Sequence, residues 1–280
     1  MSWPTWGQAV AAAAVSWLLA ANLRRRLPTR FTAAAIPAAH EFSLIASLYA
    51  VWRVARALPL GDDGGAIDRA RQIVRLQNDL HLPTELSLQH LVLRHEWLGW
   101  CSSWYYGVVH VPALIAFVVW LYVRHREQYP HWRNGLAILT GLCLVIRFVR
   151  VAPPRFLTDL GYTDLSERFG PSIYGPVGTG VSDQFAAMPS IHVGWAAVVS
   201  LGIVATSTSR WRWVFLLHLV ITSLVVSASG HHWWLDGIVA VILLGGGLQL
   251  DTRVRRAVAE RRSGSVVQLQ LVDAAEHHAG

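Results

Sequence analysis

His232 and Asp236 stand four residues apart in Gly230-His231-His232-Trp233-Trp234-Leu235-Asp236, at the head of an apolar run. On a helix that spacing puts both side chains on one face. A carboxylate beside an imidazole fixes its tautomer and raises the basicity of the other ring nitrogen, which makes a histidine nucleophile. The same spacing also suits a His–Asp pair that only satisfies itself at a helix end.

A second segment, Ala187-Met188-Pro189-Ser190-Ile191-His192, opens another apolar run. Serine is a good helix N-cap, and proline commonly punctuates a helix start. The first amides of such a helix lack intrahelical partners, and the helix dipole favours an anion there. Ser190 and those amides could hold a phosphate, with His192 beside it as an acid. A capped helix with an interfacial histidine is the plainer reading. Arg155 follows Pro153 and Pro154, whose rings restrict the backbone and so partly fix the guanidinium direction. Arginine suits bidentate phosphate recognition, and equally anchors to lipid headgroups.

Together these segments describe one reaction. Arg155, Ser190 and helix-start amides bind a phosphate, with His231 beside them; His232, oriented by Asp236, attacks phosphorus; His192 protonates the leaving alkoxide. Water or an alcohol then takes the phosphoryl group. No cofactor or metal is required. A metal held by His192, His231, His232 and Asp236 is conceivable, but the ligand spacing matches no recognised pattern.

The ordered set Pro-Pro-Arg, Ala-Met-Pro-Ser-Ile-His and His-His-x-x-x-Asp resembles the type-2 phosphatidic acid phosphatase superfamily. Within it, the chain is similar to the branch containing fungal inositol-phosphorylceramide synthases and their bacterial relatives. The resemblance covers residues 41–250. It implies an all-α, polytopic membrane protein, with a six-helix core plus an extra N-terminal span. It implies His232 as nucleophile, Asp236 as its orienting carboxylate, His192 as general acid, and phosphate contacts from Arg155 and Ser190. The segment Trp104-Tyr105-Tyr106-Gly107-Val108-Val109-His110 also resembles that branch and implies Tyr106 and His110 near the pocket. An aromatic belt plus a buried histidine would explain the same residues without a site. The implied substrate is a membrane lipid phosphate, with a polyol or other alcohol as possible acceptor. Two departures stand out: the chain has no Lys, and residues 225–230 carry no basic side chain. Arg147 and Arg150 are the cations left to substitute.

The elements that must position these residues are apolar. The chain is 53% hydrophobic and 15% charged, against about 25% charged for soluble domains. Its 14 tryptophans suit aromatic belts at membrane boundaries. All 24 basic residues are Arg, clustered between apolar runs, which fits topology control and argues against nucleic-acid binding. Cys101 and Cys143 form no expected disulfide and have no metal-ligand spacing.

Apolar runs at 6–23, 42–58, 105–123, 135–151, 191–206, 213–229 and 234–250 are seven expected spans. The first is not a signal peptide, because its arginines follow it. Arg24, Arg25, Arg26 and Arg30, then Arg124, Arg126 and Arg133, then Arg210 and Arg212, then Arg253, Arg255, Arg256, Arg261 and Arg262 all fall on one side of seven spans. That side is expected to be cytoplasmic, with the site extracytoplasmic. Arg69, Arg71, Arg75 and Arg94 fall on the other side, in a loop that also carries acidic residues. Residues 1–40 read as an N-terminal span and Arg-rich loop, 41–250 as the core, and 251–280 as a basic, partly disordered cytoplasmic tail.

After Asp62 and Asp63, Ile67, Ala70, Ile73 or Val74, and Leu80 follow helical spacing, with Gln77 as a break. That helix either lies on headgroups or packs on the protein. Residues 152–189 are rich in Pro and Gly, so little regular structure is expected there. A transporter or receptor is the competing class. It would show polar residues at mid-span, of which His218, Arg147, Arg53 and Arg56 are the exceptions here.

Overall fold

The computed structural model describes residues 4–25, 30–57, 64–169 and 184–279. The Asp62–Asp63 pair and the Pro/Gly-rich stretch 170–183 lie outside the described residues. Among the described residues the fold is all-α, with one isolated parallel bridge between Val151 and Ala186. In order the helices are α1 (Trp6–Arg24), α2 (Arg30–Ala57), α3 (Ala66–Asp79), α4 (Glu85–Arg94), α5 (Glu96–Trp104), α6 (His110–Arg124), α7 (Tyr129–Ile146), α8 (Leu165–Phe169), α9 (Ile191–Thr206), α10 (Leu216–Ala228) and α11 (Trp234–Ala279). A π-helical turn, Tyr105–Val109, joins α5 to α6.

Among the described residues, five helices are long and apolar enough to cross a membrane: Trp6–Arg24, Thr32–Ala55, Glu96–Arg124, Arg210–Ala228 and Trp234–Arg261. The chain is therefore a polytopic helical protein. Two of the seven expected spans are not among these five. Helix α9 is a shorter apolar helix of 16 residues, about 24 Å long, just under the roughly 17 residues at the low end for a span. Helix α7 ends at Ile146 and starts at Tyr129, so its first turns carry His131, Arg133 and Asn134, and residues 147–151 lie beyond its end. The expected disorder of the tail is also corrected. Helix α11 runs on to Ala279 through a sequence rich in Ala, Arg, Glu, Gln and Leu, all strong helix formers.

Helix α9 is the packing centre, touching α6, α7, α10 and α11. Its buried residues are mostly small: Gly194, Ala196, Ala197, Ser200 and Gly202 among others. Small residues let membrane helices approach closely; a Cβ at Gly202 would collide with the Phe117 ring. Phe117, Leu121, Trp132, Leu139, Val198 and Leu244 share this core. Trp97, Trp100, Trp104, Trp211 and Trp213 are exposed, as residues facing lipid or its interface are.

A second core caps one end of the bundle. It joins Ala66, Ala70 and Ile73 of α3 to Val151, Leu157, Tyr162, Ala187 and Trp233. Helix α3 thus packs on protein, and its buried face is Ala66, Ala70, Ile73 and Gln77. The expected apolar row is corrected: Ile67 and Leu80 are exposed, and Gln77, read as a break, is buried. In the loop after α7, two short 3-10 turns (Pro154–Phe156 and Thr158–Leu160) and α8 form despite the prolines.

Candidate active site

The site is assembled where α10 ends and α9 and α11 begin. After Ala228 the chain reverses through Gly230, at φ +77°. Any side chain there would be strained, and a Cβ would also meet the Thr163 carbonyl at 3.0 Å. The reversal lets the amides of His231 and His232 share the Val226 carbonyl.

His232 is 4% exposed. Its Nδ1 lies 2.8 Å from the Ala187 carbonyl and 3.3 Å from Asp236 Oδ2. Both are acceptors, so Nδ1 carries the proton and Nε2 keeps its lone pair. The Ala187 carbonyl is aimed by a short ladder, Val151 N–H to Phe185 O and Ala187 N–H to Val151 O. Asp236 is fully buried. Its Oδ2 also accepts the Trp233 amide at 2.8 Å, and its Oδ1 has no partner among the described residues. The His232 imidazole is thus oriented by two groups, of which sequence reasoning named one.

His232 Nε2 faces His192 Nδ1 at 3.4 Å. The Tyr106 hydroxyl contacts His192 Nε2 at 3.0 Å. Ser190 is the N-cap of α9, its Oγ accepting the Val193 amide at 3.3 Å. The Ser190 amide donates to the Asp236 carbonyl at 3.1 Å, which ties the starts of α9 and α11 together. The ring of His110 lies 5.5 Å from that of His192.

Arg155 enters from the loop after α7. Its amide donates to the Gly230 carbonyl at 3.0 Å, and its Nε pairs with Asp164 at 3.3 Å. The prolines set the backbone, but Asp164 aims the guanidinium. His231 stacks on Tyr106 at 5.8 Å, has its Nδ1 2.7 Å from Ser229 Oγ, and has Asp164 3.9 Å from its Nε2. Burial, with Arg155 and His232 nearby, holds His231 well below the usual imidazole range, so it is neutral at pH 7. Arg147 turns instead to α2, donating to the Ala55 carbonyl at 2.6 Å, and Arg150 packs over Phe185.

Three polar residues that sequence reasoning missed brace this site. Glu85 Oε1 accepts the Trp234 amide at 2.9 Å, and Gln77 Oε1 accepts the Leu235 amide at 3.1 Å. They cap α11 from another part of the chain, and Gln77 Nε2 bonds Glu85 at 2.8 Å. A carboxylate suits a helix N-terminus. Gln89 is fully buried and bridges the carbonyls of Thr163 and Ala228 through its Nε2.

All eight residues singled out from the sequence gather at this one end of the bundle. The arrangement offers a buried imidazole with a free lone pair, a second imidazole facing it, and an arginine and a helix start beside them. Those are the parts of nucleophilic attack with acid assistance at an anionic group. No group of three or more His, Cys, Asp or Glu among the described residues is placed to hold a metal ion. Residues 71–250 match the family model described as the PAP2 superfamily. Neither a curated protein nor a solved structure matches the chain.

Proposed function

This chain belongs to the PAP2 superfamily, and from that premise we propose that it is an integral-membrane phosphatase or phosphotransferase. It acts on a lipid-linked phosphate at the extracytoplasmic face through a phosphohistidine. One observation carries the reading: His232 has its Nδ1 held by two acceptors while its Nε2 faces His192.

In this mechanism His232 Nε2 attacks phosphorus and the bond to the lipid oxygen breaks. His192, protonated, gives its proton to the leaving alkoxide, with Tyr106 steadying the ring. The Ala187 carbonyl and Asp236 stabilise the imidazolium side of the phosphohistidine. Arg155, the Ser190 hydroxyl and the first amides of α9 neutralise the phosphate oxygens, with neutral His231 alongside. Water or an alcohol then attacks phosphorus, its proton passes to His192, and the P–N bond breaks. No step calls for a metal.

The topology rests on charge. Helices α9 and α11 start at the site and run toward Arg210, Arg212, Arg253, Arg255 and Arg256, and α6 runs toward Arg124 and Arg126. Arginine-rich ends face the cytoplasm, which leaves the site outside and the C-terminus inside. We assign residues 41–250 to the enzyme core, 1–40 to an added span and loop, and 251–280 to a cytoplasmic tail. The Tyr106 to His110 segment and the missing motif cations favour the head-group-transferring branch over a plain hydrolase.

The test uses detergent-purified protein, a panel of lipid phosphates and EDTA, beside His232→Ala. Turnover by the wild type and a loss of about 10⁶-fold in the variant are expected, as for removal of a catalytic nucleophile. Turnover that survives His232→Ala would refute the mechanism.

A further inference from the structure

Past His192, a second group of polar side chains continues into the bundle. The His110 ring lies 5.9 Å from that of His218 and within 21° of parallel to it. Trp195 stacks on His110 at 6.2 Å. His110 is 1% exposed, and among the described residues neither of its ring nitrogens has a hydrogen-bond partner; His218 Nε2 is buried without one there as well. The Tyr105 hydroxyl holds His218 Nδ1 at 2.6 Å and Thr222 Oγ1 at 2.9 Å.

The backbone is built for this cluster. In the π-helical turn Tyr105–Val109, the i→i+5 bonding pattern brings His110 nearly over Tyr105. Tyr105, Tyr106 and His110 all turn inward as a result: one to His218, one to His192 and His231, one to His192 and His218. Packing alone does not explain it. Buried polar atoms left unpaired are costly, and an apolar pair of the same shape would cost nothing of the kind.

A neutral imidazole offers one donor and one acceptor. Both nitrogens of His110 and the Nε2 of His218 together complement hydroxyl groups, which also donate and accept. They do not suit an anion, which only accepts, or an acyl chain. The place of His110 next to His192 puts such hydroxyls beside the group that takes the acceptor's proton. We infer that His110 and His218 form an acceptor pocket, binding hydroxyls of a polyol whose reacting hydroxyl lies on His192. This rests on the phosphohistidine reading above. The polyol oxygen bonds to phosphorus as the bond to His232 Nε2 breaks, the electron pair returns to Nε2, and the proton passes to His192. The product is a phosphate ester of the polyol.

The experiment gives the full-length purified protein phosphatidic acid as donor, with ethanol, ethylene glycol or glycerol at equal hydroxyl concentration. The readout is the ratio of alcohol phosphate to free phosphate. For the wild type, ethylene glycol and glycerol should give a ratio at least about tenfold above ethanol, a floor well below the roughly 10⁴–10⁵-fold by which a site built to bond hydroxyls rejects an analogue lacking them. His218→Phe should erase that preference. Tyr105→Phe, which loses only a hydroxyl, should lower it in the same direction and carries the test if the first variant does not fold. Val220→Ala, on the exposed side of α10, should keep it. Folded variants at His218 and Tyr105 with the wild-type preference overturn the pocket. Free phosphate as the sole wild-type product with every alcohol overturns the polyol and leaves the phosphatase reading standing. A wild type as inert as His232→Ala overturns that reading itself.

Discussion

Helix α11 carries two His–Asp contacts, one near each end of its membrane-spanning part, about 22 Å apart along the axis by the rise per residue. At its start Asp236 meets His232 at 3.3 Å and keeps Oδ1 without a partner among the described residues. At the far end Asp251 meets His131 at 2.7 Å through Oδ2, and its Oδ1 accepts Asn134 Nδ2 at 2.6 Å. Both carboxylates are buried. Beside the second lies Arg133, bonded to both oxygens of Glu41 at 2.6 Å. The Asp251 pair has each oxygen engaged, as a structural network should. The Asp236 pair is left incomplete, and the ring it orients points its other nitrogen at His192. The difference separates a contact that joins helices from one that holds a reacting group.

The same substitution at both places breaks the comparison most directly. In Asp236→Asn, the amide oxygen at the Oδ2 position still faces both the Trp233 amide and His232 Nδ1, but it carries no charge to hold the Nδ1 proton or to stabilise the imidazolium. The tautomer that frees Nε2 loses support. The expected loss in kcat is about 10²–10⁴-fold, the scale for an aspartate that orients a catalytic histidine. Thermal stability should hold or rise, since a buried charge with an unpaired oxygen is removed. A kcat within a few-fold of wild type would mean that the Ala187 carbonyl alone orients the ring.

The two pairs were not equally legible in the sequence. His232 and Asp236 share one helical turn, so their spacing announces them. Asp251, His131 and Asn134 meet from α11 and α7, and no local pattern links them. The same holds for Glu85 and Gln77, which cap α11 across some 150 residues of chain, and for Asp164, which aims Arg155. Apolar runs revealed most of the helices, because lipid demands them. They misplaced α7, whose polar first turns exist to meet Asp251 and Glu41 rather than lipid. Gln77 looked like a flaw in an amphipathic face because its partner, the start of α11, is visible only in three dimensions.

Glu85 sharpens the comparison at the site end with a smaller effect. Glu85→Ala leaves the Trp234 amide and Gln77 unpaired, which should destabilise by about 1–3 kcal/mol. It should also lower kcat by up to about 100-fold, because α11 carries Asp236 and a small misplacement is costly. Glu85→Gln can still accept both bonds and should restore most of the turnover. Its stability should depend on pH. Burial raises the Glu85 pKa above 4.5, against the opposing pull of the Trp234 amide, Gln77 and Tyr162. A raised carboxylate pKa means that the folded state holds the proton more tightly. The stability linked to it is fully present below the unfolded value and is lost as pH rises through the folded one. Glu85→Gln should therefore gain on the wild type in melting temperature as pH rises from 4.5, and the gain should vanish near or below 4.5. A constant difference across that range would place the charge elsewhere.

The smallest effect on turnover is expected at the satisfied pair. In Asp251→Asn the side-chain oxygen can accept from either His131 or Asn134, but not from both as well as the carboxylate does. Stability should fall by about 0.5–1.5 kcal/mol, the net worth of one such bond. Turnover should stay within about twofold, since sites more than 7–10 Å apart with no shared partner act additively. Melting temperature and kcat measured on the same preparation separate the two. The result also tests α11 as a mechanical element. Asp236 and Asp251 sit on one unbroken helix, so if kcat falls along with stability, movement at the far end reaches His232 through α11. The two pairs would then be one device. If only stability falls, the helix isolates the reacting end from the joining end, and the incomplete hydrogen bonding of Asp236 belongs to the chemistry alone.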